Sequence, residues 1–333
     1  MSDRQGLTLV GELSGGTLAP ISLELLGVGR EISDQMKQEL TVLFIGDDVT
    51  APAAEAFNYG ADRVVAIDSP LFSKYMTDAY VSAVAEYDHQ YRPEVLLFGH
   101  TAIGRDLAPR LAFRLDTGLT LDCIGLKFDA STGLIHKVKP VYGGNAVATY
   151  VCENGRPQMA AVRPKTMAAA TRDDSRSGEV VLFDPGLDDS VVRGRFLRKD
   201  VEEAVGIKLE DANIVVCGGR GLGGPDPFSQ LQELANVLGG AVGASRPPCD
   251  SKWCPSGYQV GLTCKLISPN LYIGIALSGS SQHQAGMSGS KTIVAINKDE
   301  EANIFDIAHY GVVGEYQKVL PAFIEKCTEM MSK

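Results

Sequence analysis

Short apolar, β-prone runs alternate with helix-like segments along most of this chain, and that alternation constrains its fold more than any other feature. Thr41–Gly46, Arg63–Ile67 and Val95–Gly99 read as buried strands. Between them lie Ala51–Tyr59, rich in helix formers, and Met76–Tyr87, where Tyr80, Val84 and Tyr87 recur at helical spacing. Apolar strands separated by helices pack as a parallel sheet with helices on both faces, so a doubly wound α/β domain is expected. After it come β segments, Val138–Val151 around a Gly143-Gly144-Asn145 turn and then Gln158–Val162, which are expected to extend the same sheet.

The pattern then restarts. Asn213–Cys217 reads as a strand, Gly218–Gly224 as a glycine loop, and Pro227–Leu238 as a helix with Leu231, Leu234 and Leu238 on one face. Strands follow at Ala241–Ala244, Leu271–Leu277 and Thr292–Asn297, and a helix over Val313–Met330 closes the chain. The charge-dense Arg172–Asp200 passage divides two domains, 1–190 and 191–333, with a hinge expected near 190–200.

Composition narrows the function class. The chain has 333 residues, 44% hydrophobic and 22% charged, ordinary values for a globular protein. Its 31 basic and 41 acidic residues leave a net charge of −10, which repels phosphate backbones and argues against nucleic acid as a partner. No run approaches the roughly 18 apolar residues of a membrane span, and the start of the chain has no signal-peptide or transit-peptide pattern. Seven cysteines, an odd count at low density, suit a reducing compartment, so a cytoplasmic setting is expected. Cys249, Cys254 and Cys264 are close in sequence, but C-x4-C-x9-C matches no zinc or iron–sulfur spacing, and no metal is expected.

Three stretches carry chemistry. Leu271–Asp299 places Ser278-Gly279-Ser280-Ser281 and a Gln282-His283 pair between two β-prone runs, a composition that offers backbone N–H groups and hydroxyls to an anion and equally makes an ordinary loop. Gly219-x-Gly221-x-x-Gly224 fits the dinucleotide fingerprint after a strand. The next strand ends in Ser245-Arg246 where a nicotinamide site has an acid, which leaves an NADP-dependent oxidoreductase as the alternative reading. His100–Arg110 opens a helix at a strand's carboxyl end, either as an anion site or with Arg105 and Asp106 in structural roles.

Taken together, the second-half motifs resemble the α subunit of electron transfer flavoproteins. The carriers are Gly218–Leu222, Val242–Arg246, Gln259–Thr263, Leu271–Ile273, and Ser278-Gly279-x-x-Gln282-His283-x-Ala285-Gly286-Met287 running on through Ser290–Asp299 to Ile304-Phe305 and Tyr310–Val313. Thr101–Arg110 and Val141–Asn145 extend the likeness into the first half. The resemblance implies a heterodimer with a β subunit, the first domain making that contact and a Rossmann-like second domain carrying FAD. Electrons would pass between flavin dehydrogenases, such as acyl-CoA dehydrogenases, and an acceptor, with bifurcation left open. It further implies that Arg220 and Ser278–Ser281 meet the pyrophosphate and ribityl region, and that Asn297, Glu315 and Tyr316 meet the adenosine end. Ser245 and Arg246 would lie beside the isoalloxazine, Thr263 would offer its hydroxyl to the N5/C4-carbonyl edge, and Val260, Gly261 and Leu262 would belong to the wall around the cofactor. Gln282 belongs to the same wall, and His283 would face the C2 carbonyl. Arg246, Thr263 and His283 would tune the flavin, because positive charge or a donor near N1 and C2 favours its anionic reduced form. Leu262, Ser280-Ser281, Cys264 and Trp253-Cys254-Pro255 depart from the family pattern.

Overall fold

The computed structural model describes residues 4–144, 146–194, 196–198 and 207–331. The chain separates into two compact units, Met1–Val141 with Val147–Lys199, and Tyr142–Ala146 with Asp200–Lys333. The first unit runs on to Lys199, past the 190/191 division suggested by the sequence. Val191, which ends a short helical turn, Asp189–Val191, and Val192 after it pack on the first unit's core, which keeps them in it. Of the expected hinge, residues 195 and 199–200 lie outside the described residues.

In the first unit, Leu7–Val10 (β1), Leu40–Gly46 (β2), Arg63–Asp68 (β3), Val95–Gly99 (β4), Leu119–Cys123 (β5), Gln158–Val162 (β6) and Val180–Leu182 (β7) form one sheet in the order β7-β3-β2-β1-β4-β6-β5. Every adjacent pair is parallel. The inner strands are buried on both faces, which is why they read as continuous apolar runs. Leu7, Leu9, Val42, Val95 and Leu97 face Leu25, Leu26 and Ile32 of helix α1, Pro20–Met36. Val10, Leu43, Val65, Leu96 and Phe98 face Val84 and Tyr87 of α2, Thr77–Tyr91, and Leu107 and Leu111 of α3, Ala102–Arg114. The central strand, β1, escapes the sequence reading because only four residues, LTLV, form it.

The expectation for Val138–Val151 needs correction. Leu134–Val141 pairs antiparallel with Gly125–Asp129, and together with Ala146–Tyr150 they form a separate three-stranded sheet. Only Gln158–Val162 enters the main sheet. Ala146–Tyr150 is largely exposed, so it lacks the two-sided burial a strand inside a parallel sheet requires.

The second unit contains Ile214–Gly218 (β8), Ala241–Ala244 (β9), Leu271–Ile275 (β10), Thr292–Asn297 (β11) and Tyr310–Val313 (β12), all parallel, in the order β9-β8-β10-β11-β12. On one face Val216, Ile273, Ile275 and Ile296 meet Leu231 and Leu234 of α4, Phe228–Leu238, and Tyr316, Leu320 and Ile324 of α7, Tyr316–Met331. On the other, Val215, Cys217, Tyr272 and Ile293 pack with Met287 and Ile304. The closing helix is thus shorter than expected. Val313 belongs to the exposed edge strand β12, since paired β-branched residues followed by Gly314 suit a strand end better than a first helical turn.

Candidate functional site

Numbered from its own first strand, the second sheet runs 2-1-3-4-5, so the chain reverses direction across the sheet between β8 and β10. Ligands of open parallel sheets bind outside the carboxyl ends of the strands at such a switch point. Four connections leave that edge: a helical turn Arg220–Leu222 after β8, Ser245 and helix α5 (Arg246–Asp250) after β9, Ala276–Ser280 after β10, and Asn297–Asp299 after β11. Arg220, Arg246, Ser278, Ser280, Ser281 and Gln282 are all exposed there, with Ser245 half-buried.

Close backbone packing fixes these connections. Gly219 and Gly221 donate their N–H groups to the carbonyls of Ile275 (2.9 Å) and Ala276 (3.0 Å). A Cβ on Gly219 would sit 2.3 Å from the Ala276 oxygen, so no larger residue fits. Ala276 itself is in the left-handed region at φ 52°, a conformation costing about 1 kcal/mol for a residue with a Cβ. From the other side, the buried Tyr316 hydroxyl donates to the Leu222 carbonyl at 2.8 Å and ties the Arg220 turn to α7.

A second set of contacts joins Val260–Thr263 to Gln282-His283. Val260 N–H donates to Ala244 at the end of β9, and Leu262 N–H donates to the Gln282 carbonyl at 2.8 Å. Gly286 of helix α6, Ser281–Met287, lies so near Gly261 that a Cβ would come within 2.5 Å of its Cα. His283 is buried beneath this junction, its Nδ1 3.1 Å from the Val260 carbonyl and its Nε2 2.7 Å from the Tyr272 hydroxyl. A carbonyl only accepts, so Nδ1 carries the proton and Nε2 accepts from Tyr272. Burial pushes the His283 pKa down to about 4 and keeps the ring neutral. Leu262 and Thr263 remain exposed above it.

A family model described as the electron transfer flavoprotein domain matches residues 7–187, and one described as the electron transfer flavoprotein FAD-binding domain matches residues 208–288. The chain belongs to the electron transfer flavoprotein family. It is 46% identical to the electron transfer flavoprotein subunit alpha of Thermoanaerobacterium thermosaccharolyticum, over 99% of this chain and 100% of the relative. The subunit alpha of Megasphaera elsdenii is 41% identical over 98% and 97%, and the protein FixB of Clostridium saccharobutylicum 39% identical over 100% and 99%.

The residues at the switch point fit the FAD of an electron transfer flavoprotein. A pyrophosphate calls for cations and hydroxyl donors, and Arg220 with Ser278, Ser280 and Ser281 supplies both at one edge. An aromatic ring with a polar rim calls for a cation and a donor beside apolar cover, as in Arg246, Thr263 and Leu262. Arg246 also meets Asp250 at 3.1 Å, an exposed pair that water largely screens.

Several of the groups singled out in the sequence are engaged within the protein. The Gly219 and Gly221 N–H groups are engaged by Ile275 and Ala276, so these glycines serve close packing, and the Gly219/Gly221/Gly224 match gives no support to an NADP site. His283 points neither charge nor a free nitrogen outward, because both ring nitrogens are engaged inside the protein. Asn297 spends its side chain locally, its amide donating to the Leu277 carbonyl at 2.9 Å and its oxygen accepting from Asp299 N–H at 3.1 Å. The Tyr316 hydroxyl is likewise committed to Leu222, while Glu315 is exposed and pairs with Lys318 at 3.1 Å. Tyr272 was missed by the sequence reading. Its signal was a hydroxyl at an inward position of an otherwise apolar strand, which demands a buried partner.

Among the described residues no helix is long and apolar enough to cross a membrane.

Proposed function

We propose that this α chain pairs with an electron transfer flavoprotein β subunit and moves electrons between flavin dehydrogenases, acyl-CoA dehydrogenases among them, and a redox acceptor. The observation that supports this most is the crowding of exposed Arg220, Arg246, Thr263, Ser278 and Ser280–Gln282 at one sheet edge. When bound, FAD supplies the electron chemistry itself. The chain's work is to bind, orient and bias. Arg220 and the hydroxyls of Ser278, Ser280 and Ser281 hold the phosphates. Arg246 sets positive charge at the isoalloxazine edge, Thr263 offers its hydroxyl to the same edge, and Ser245 stands beside them. Val260, Gly261 and Leu262 cover the ring against water, and Gln282 continues that wall. Glu315 is assigned to the adenosine end. His283, Asn297 and Tyr316 are positioning residues that hold these groups in place through Val260, Leu277 and Leu222.

The first unit is assigned the β-subunit contact, for which the exposed Val147, Tyr150 and Val151 supply apolar surface. Seven free cysteines accord with a cytoplasmic setting. Co-expression with the β subunit tests the reading. A yellow heterodimer that takes electrons from an acyl-CoA dehydrogenase is the expected result, and a colourless chain that purifies alone would overturn it.

A further inference from the structure

The Cys249 and Cys254 thiols lie 3.6 Å apart, sulfur to sulfur, at the far end of the helix that begins with Arg246. The backbone creates this approach. After α5, Ser251 N–H donates to Pro247, Lys252 N–H to Cys249 and Trp253 N–H to Pro248, while Lys252 takes the left-handed conformation at φ 57°. This helix-ending turn reverses the chain and brings Cys254 back against Cys249. Both thiols are half-buried, and the Cys249 sulfur also lies 3.7 Å from the Pro255 carbonyl. Among the described residues no third His, Cys, Asp or Glu completes a metal site.

We propose that Cys249 and Cys254 form a reversible modification site, closing to an intramolecular disulfide in exchange with low-molecular-weight disulfides. Cys249 is the attacking thiol. The Cys254 S–H hydrogen bond lowers its pKa, against the opposing effects of burial and of Asp250, while Cys254 is raised by serving as donor. The Cys249 thiolate attacks one sulfur of the small disulfide and expels one thiolate. Cys254 then loses its proton and attacks the Cys249 sulfur, expelling the second. Two protein thiols lose two electrons and two protons, and the small disulfide leaves as two thiols. Bringing the sulfurs to about 2 Å closes the gap by roughly 1.5 Å at Cys249, the neighbour of Asp250, the exposed ion-pair partner of Arg246. The consequence for flavin tuning rests on the role proposed for Arg246; formation of the bond does not.

The test uses the FAD-loaded heterodimer, equilibrated with excess reduced or oxidised glutathione, denatured and alkylated. Oxidation is expected to protect two of this chain's seven cysteines, with the bond mapped to Cys249 and Cys254 by peptide mass and reversed by dithiothreitol. Cys249→Ser and Cys254→Ser each abolish that pairing, and Cys152→Ser leaves it intact. All seven thiols remaining alkylatable, or a bond between other cysteines, overturns the site. The flavin midpoint potential, read in both thiol states, is expected to differ. A mapped disulfide with an unmoved potential keeps the modification site and overturns its link to Arg246.

Discussion

The two sheets offer the same kind of crevice and use it in opposite ways. In the first unit the strands run 3-2-1-4 from β3 to β4, and the switch point lies between β1 and β4. There the chain closes its own crevice. Thr101 donates to the half-buried Glu12 carboxylate at 2.7 Å and caps α3 by accepting from Gly104 N–H, and Ser22 bonds both backbone groups of Glu12. Burial raises the Glu12 pKa, and wherever it is ionised its carboxylate repels an anion. Asp106 accepts from Tyr75 and Thr77 and sits 3.6 Å from Arg110, so it braces helices. In the second unit the corresponding edge presents exposed arginines and hydroxyls. One architecture yields a packed joint or a cofactor edge according to a few side chains, so the fold alone does not specify the site.

The largest expected effect comes from crowding the two crevices in turn. A Cβ at Gly219 would meet the Ala276 oxygen at 2.3 Å, and one at Gly104 would meet the Gly99 oxygen at 1.8 Å. Each Gly→Ala variant is expected to lose about 1–3 kcal/mol or more in denaturant melts. Only Gly219→Ala should also weaken FAD binding in the folded fraction. Equal loss of FAD in both would erase the distinction between the crevices.

Arg220→Ala follows, with a loss of about 2 kcal/mol, roughly thirty-fold in FAD affinity by titration of the apoprotein, for one charge-assisted contact. Unchanged affinity would remove Arg220 from the phosphate role. Tyr316→Phe deletes one hydrogen bond and should cost about 1 kcal/mol of stability with a several-fold weaker FAD, because the Arg220 turn loses its tie.

Acid should act on both units alike. His283 and His100 are each pushed down from 6.5 to about 4 by burial. The unfolded chain therefore binds protons first as pH falls, and stability declines between about pH 6.5 and 4 while staying flat above that window. His283→Gln should remove its share of that slope, seen in melts across the window. The smallest effect is expected of Glu12→Gln. A raised carboxyl pKa means stability falls as pH rises through it, so removing the charge should stabilise at neutral pH and leave FAD affinity unmoved.

Much of this was legible in sequence because parallel strands buried on both faces announce themselves as apolar runs: Val95–Gly99 and Thr292–Asn297 are read to the residue. The residues proposed for the cofactor were singled out through the family's motifs. What stayed hidden depends on three-dimensional partners. Nothing in the string says that His283 meets Tyr272, that the Tyr316 hydroxyl reaches Leu222, or that Asn297 turns back on Leu277. Those residue types read equally well as ligand contacts. Glu12, in a short run beside an unnoticed central strand, carried no signal of its role at all.

Hydrogen exchange by mass spectrometry on apo and FAD-loaded protein tests the contrast between the crevices most directly. Slower exchange on FAD binding is expected at Gly219–Gly223, Val260–Thr263 and Ser278–His283, with Gly11–Leu13 and Gly99–Gly104 unchanged. Protection gained at Gly11–Leu13 and Gly99–Gly104, with none around Arg220 and Ser278, would contradict it.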